Sequence, residues 1–253
     1  MPAFPPEAFA EVFSGPELPT VIGGQAVYHW AERFFDKAPE LASFVPFVSK
    51  DGDLWATRNT AIALRDRTGW HCKLFDEPRT HAVAILTKEV PGHDPLRIEV
   101  LKDVHGLRPA DLEFSTVITT AAGRQVRLLD PAVLLKGKIS TLFHLGPEQR
   151  PSDERHIRLL IPITSAFINE RIDSVRTGIT AERPLLSALR YAIEAGQSED
   201  ARALAKQYGF DFSSVMPTID DFTQLPRLAK FIELELPRIL PNRDRGSIER
   251  EIE

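Results

Sequence analysis

The chain has 253 residues, enough for one large domain or two modest ones sharing a core, and 43% hydrophobic with 26% charged residues argues against disorder. A formal net charge of -5 excludes a general nucleic-acid coat, though not a local basic face. One cysteine, Cys72, can make neither an internal disulfide nor a zinc site by itself.

The first 13 residues carry prolines and glutamates and are unlike a signal peptide, and no apolar run approaches the ~20 residues of a bilayer span. A cytoplasmic protein without a membrane partner is expected. Residues 7–13 are predicted as a short helix ending near Gly15-Pro16. Val21-Ile22 before two glycines is predicted as a buried strand running into a tight turn. An amphipathic helix is predicted over 25–37, with Val27, Trp30, Ala31 and Phe34 on one stripe. Trp30, Phe34 and Phe35 are assigned to the core.

An extended connector, 44–50, leads to a strand beginning Asp51-Gly-Asp53. A helix over 60–68 follows, capped by Asn59 or Thr60 and ended by Gly69. Strands are expected at 81–87, 96–101, 114–120 and 124–129, the last two joined as a hairpin, making five or six before residue 130. Beyond Pro131 helical spacing takes over, at 132–145, 154–161, 164–176, 183–195, 199–207 and 227–240, with a charged tail over 242–253. The fold class is therefore α+β: a mixed-sheet domain over 1–130 and a helical domain over 131–253.

Three groups of residues can carry chemistry. Gly23-Gly24 opens a helix, where free amides and the positive helix end favour a phosphate; the same pair also serves as a plain tight turn. Asp51 and Asp53 lie two apart in an extended chain, so both carboxylates face one side. Two such groups repel unless a cation lies between them, or unless both sit in solvent. Glu99 interrupts the apolar run Leu96–Leu101, and either faces water or joins that acidic pair. Arg97, two residues earlier on its face, either pairs with it or binds a phosphate. The seven histidines show no zinc spacing and are assigned to structure or surface.

In this order, at Gly23-Gly24, Asp51-x-Asp53 and Glu99, the sequence resembles the DNA polymerase beta-like nucleotidyltransferase superfamily over roughly residues 18–160. Pro131–Ser140 and Pro151–Ile157 resemble the helical continuation of its abortive-infection (AbiEii-like) toxin branch. The resemblance implies nucleotide transfer from a nucleoside triphosphate to a hydroxyl on RNA, protein or a small molecule. It further implies two magnesium ions held by Asp51, Asp53 and Glu99, and a toxin with an antitoxin partner. Gly23, Gly24 and Gln25 would hold phosphates, with Gln25 in place of the usual small hydroxyl residue. Lys138, or Lys136, would reach a phosphate, with Asp153 orienting the lysine. The alternative is a catalytically idle module that binds a nucleotide or a protein.

Overall fold

The computed structural model describes residues 4–77, 80–216 and 225–236. Among the described residues seven strands form one mixed sheet: β1 (Thr20–Ile22), β2 (Gly52–Trp55), β3 (His71–Leu74), β4 (Ala82–Lys88), β5 (Leu96–Leu101), β6 (Ser115–Thr119) and β7 (Gln125–Leu129), in the spatial order β3-β4-β5-β2-β1-β7-β6. β2 runs parallel to β5 and β1 parallel to β7; all other neighbours are antiparallel. The strand missing from the sequence reading is β3. It lies on the sheet edge and its residues alternate only between exposed and half-buried, so it carries no apolar run to announce it.

Three helices belong to the strand half: α1 (Ala10–Phe13), preceded by a 3-10 turn at Pro6–Phe9, α2 (Gly23–Arg33) and α3 (Arg58–Thr68). α2 starts at Gly23 itself, whose φ of 62° turns the chain from strand to helix within one residue. It stops at Arg33 rather than 37, because Phe34 leaves helical geometry and a turn with a further 3-10 segment, Pro39–Phe44, follows. The expected extended connector thus begins only after Phe44. Phe35, assigned to the core, is 38% exposed on that turn. The cap of α3 is Thr57, whose hydroxyl accepts from the Thr60 amide, while Gly69 ends the helix in the left-handed region as expected.

The helical half contains α4 (Pro131–Gln149), α5 (Asp153–Arg176), α6 (Glu182–Gln197), α7 (Glu199–Tyr208) and the short α8 (Pro226–Lys230), which continues as a π-turn over Phe231–Glu235. The two helices expected at 154–161 and 164–176 are one. Pro162 lies inside α5, and Leu159, Leu160, Ile163 and Phe167 bury the helix on both sides of it, which outweighs a proline cost of ~3 kcal/mol. The later part of the helix expected at 227–240, and the tail at 242–253, fall outside the described residues.

Strands end at Leu129 and helices take over at Pro131, yet one hydrophobic core runs through both halves. Trp30 shows how: its indole N–H donates to the Leu129 carbonyl at 2.9 Å, while its ring stacks on Phe34 and meets Phe167 of α5 edge-on. The sheet has two unlike faces. Val21, Leu54, Ile98 and Val100 are fully buried on the side where α2 packs on β1 and β2. Ile22, Asp53, Glu99 and Leu129 occupy the other. Among the described residues no helix is long and apolar enough to cross a membrane.

Candidate functional site

A cavity of 470 Å³ opens where this second face meets α4. Register brings its acidic residues together. Asp53 on β2 is opposite Ile22 on β1 and opposite Glu99 on β5, and cross-strand partners project to the same side of a sheet. Ile22, Gly23, Asp53 and Glu99 all line the cavity. Gly23 has a second constraint beyond its backbone angle. A methyl group there would overlap the Asp53 carboxylate, so only glycine lets β2 carry an aspartate at this point. Gly52, between the acidic pair, is in regular register with Ile98 of β5. It makes room for the Phe13 ring, which a Cβ would meet at 2.9 Å.

The opposite wall comes from the helical half. Lys138 on α4 donates to Asp153 Oδ1 at 2.6 Å, and the Thr141 hydroxyl donates to Asp153 Oδ2 at 2.6 Å. His156 Nδ1 lies 3.4 Å from Asp153 and its Nε2 lies 3.2 Å from the Tyr28 hydroxyl. Burial and then the Lys138 charge push the His156 imidazole down to about 4, so it is neutral at ordinary pH. An ionised Asp153 only accepts; Nδ1 therefore carries the proton and Nε2 accepts from Tyr28. Burial alone would raise the Asp153 carboxyl. Its bonds from His156, Lys138 and Thr141 prevail and hold it well below the usual carboxylate range. Asp153 also occupies the first turn of α5, where the helix dipole favours an anion.

Asp53 is the reverse case. Burial, then the charge of Asp51, and further the charge of Glu99, push its carboxyl up to about 7, against the opposing pull of Lys138 and Arg150. Glu99 is joined to Arg97 by an ion pair.

Several residues named from sequence stand elsewhere. Asp51 acts on Asp53 through its charge but does not line the cavity. Gly24 does not line it either: it packs under His156 and Ser49, each 3.1 Å from where a Cβ would sit. Gln25, expected on a phosphate, is fully buried, with its amide nitrogen 3.5 Å from the Phe4 carbonyl and its amide oxygen without a partner. It lies in the first turn of α2, but its side chain is buried toward the N-terminal segment and not open at the anion-facing end. Lys136 belongs to another cluster, bonded at 2.7 Å to the buried Asp111. His156, assigned to structure or surface, is buried within the Asp153 network. Trp55 donates its indole N–H to the Lys102 carbonyl and packs against the core.

The cavity wall also includes Thr141, Arg150, His81 and Asp103, the last two hydrogen-bonded to each other, none of which the sequence singled out. Only Arg150 had a signal, as a cation three residues before Asp153 in a glycine–proline turn. Among the described residues, no three His, Cys, Asp or Glu side chains converge closely enough to hold a metal ion alone. The expected triad is thus a facing pair, Asp53 and Glu99, with Asp51 behind it.

No family model matches the chain, and no curated protein matches it. Among solved structures, an antigenic nucleotidyltransferase-like protein from Paracoccidioides brasiliensis aligns over 87% of this chain and 93% of its own, at 15% identity and a TM-score of 0.42.

Proposed function

We propose that the protein is a nucleotidyltransferase that binds a nucleoside triphosphate in the cavity between sheet and α4. It would transfer the nucleotide to a hydroxyl acceptor. The acceptor oxygen bonds to the α-phosphorus, the bond to the β-phosphate breaks, and pyrophosphate leaves with the electron pair. The observation that carries this reading is the pairing of Asp53 with Glu99 on one cavity wall, opposite a lysine held by an aspartate on the other.

The donor set suits magnesium, which favours carboxylate oxygens together with substrate phosphates. Its electrostatics suit it too: Asp53 is raised by burial and by the negative charges of Asp51 and Glu99, which a bound cation would offset. Asp53 and Glu99 would hold the metal, with Asp51 adding negative charge behind them. Bound there, the metal supplies charge neutralisation at the phosphates. Lys138, fixed in direction by Asp153, binds a phosphate oxygen as a point charge. Glu99 takes the proton of the attacking hydroxyl. Cavities of a few hundred Å³ are of the size that encloses ligands of this class.

Incubation with each labelled triphosphate, magnesium and total RNA or protein tests the reading. Wild type should label one acceptor pool and Asp53→Ala should not; equal labelling by both removes the catalytic claim. A second reading, nucleotide binding without transfer, is favoured by one observation: among the described residues no third carboxylate completes a metal cluster. Metal-dependent triphosphate binding with no label transferred to any pool would select it. The toxin role and an antitoxin partner rest on the sequence resemblance alone. Growth arrest on expression, relieved by Asp53→Ala, supports them, and harmless expression of an active enzyme counts against them.

A further inference from the structure

Arg150 lines the cavity but has no part in the assignment above. It is the first residue after α4, two before the cap of α5, and the turn that leads into it has a particular geometry. Gly146 adopts φ 74° and ψ 168°, a backbone state open in practice only to glycine, and Pro147 follows it. The α4 axis is broken there, so the chain turns off the helix line. Arg150 then closes the turn. Its amide donates to the Gly146 carbonyl at 3.1 Å, and its carbonyl accepts from the Asp153 amide at 3.1 Å. The backbone at Arg150 is therefore bonded on both sides and tied directly to the first residue of α5.

Its side chain is different. The neighbouring cations are occupied: Lys138 by Asp153, Arg155 by the carbonyls of Phe44 and Pro46, Arg158 by Glu154. The Arg150 guanidinium has no hydrogen-bond or ion-pair partner among the described residues. An unpaired arginine on a convex surface would be ordinary. This one faces a concave space together with Lys138, across from Asp53 and Glu99. Lys138 is bonded to Asp153, whereas the Arg150 charge reaches Asp53 but its guanidinium bonds to no acceptor among the described residues. A planar guanidinium with its fork of N–H groups is built for phosphate oxygens. A triphosphate tail carries more negative charge than one lysine and a metal would neutralise.

We propose that Arg150 binds the terminal phosphates of the nucleotide, the part released as pyrophosphate, and so makes the site select triphosphates over monophosphates. The proposal rests on the nucleotide reading above. It gives the Gly146–Arg150 turn a purpose: the helix break brings a cation to the cavity wall, within reach of the Asp53 charge, on a backbone bonded on both sides.

Calorimetry tests it directly, with inorganic pyrophosphate, the four common nucleoside triphosphates and the matching monophosphates as probes, all with magnesium. Arg150→Ala should weaken pyrophosphate and the preferred triphosphate at least tenfold while changing monophosphate affinity less than twofold. Arg150→Lys should recover part of the loss, and Glu148→Ala in the same turn should recover or lose nothing. Equal binding of pyrophosphate and triphosphate by Arg150→Ala and wild type overturns the proposal. So does an equal loss for monophosphates, and so does a wild type that binds neither probe. Should the triphosphate loss appear in a protein that transfers no label to any acceptor, Arg150 keeps its role and the transferase reading is what fails.

Discussion

Asp53 and Asp153 line the same cavity, and their surroundings drive them in opposite directions. Asp153 comes from the helical wall with a lysine, a hydroxyl and a histidine N–H aimed at it. Asp53 comes from the sheet wall, where burial and the charges of Asp51 and Glu99 disfavour its ionised form. One carboxylate is complete within the protein and the other is not. The helical side is thus built to hold its own charges in place. The sheet side leaves its negative charges unbalanced, and the proposed cation site rests on that arrangement.

The contrast can be broken most severely at Asp53. Asp53→Ala should lower nucleotide transfer on the order of a thousandfold, measured as initial rates of label incorporation. At Asp153 the larger effect should be on folding. Asp153→Asn leaves Lys138 without its partner in a nearly buried place and should cost roughly 3 kcal/mol in urea unfolding. A loss below about 1 kcal/mol would mean that the network contributes little to stability.

Gly23→Ala should cost roughly 2 kcal/mol, because the left-handed backbone and the Asp53 carboxylate both oppose a Cβ. Transfer activity should fall with it, since Asp53 must move. Full activity in a folded Gly23→Ala protein would show that the close contact is not needed.

A further effect concerns pH. The Asp53 carboxyl is raised in the folded chain to about 7, so the folded state holds a proton that the unfolded state has already released. The stability linked to that proton is fully present below the ordinary carboxylate value and is lost as pH rises through about 7. Asp53→Asn never pays this penalty. Without divalent metal it should unfold at the same urea concentration as wild type near pH 3.5 and exceed it by up to about 4 kcal/mol at pH 8. Magnesium should narrow the difference by stabilising wild type alone. A variant less stable than wild type at pH 8 would contradict the picture of an uncompensated carboxylate.

Much of the fold was legible because burial leaves a periodic trace. Val21-Ile22, the Leu96–Leu101 run and the hairpin around Gly123 all carried theirs, and so did the stripe on α2. β3 did not, since an edge strand with one half-buried side shows no apolar run. Pro162 misled for a related reason. A proline signals a break locally, and only the packing on both sides keeps α5 continuous. At the site, Asp53 and Glu99 could be named from residue type and order, and Lys138 and Asp153 from the family resemblance. Gln25 could not be judged from its place after the glycines, because which side of α2 faces the sheet is a matter of docking. Arg150 looked like one more charged turn residue.

Alternation and helical spacing by themselves determined that this chain is a strand-rich half followed by a helical half, with the candidate acids Asp51, Asp53 and Glu99 on the first. Those are short-range properties, written in which neighbours along the chain are apolar. Tertiary structure alone decided that Asp53 faces Glu99 while Asp51 stands outside the cavity, that Gly23 is there to admit a carboxylate, and that Arg150 looks into the same space as Lys138. Strand register and helix docking set those distances, and both arise from contacts between residues far apart in sequence.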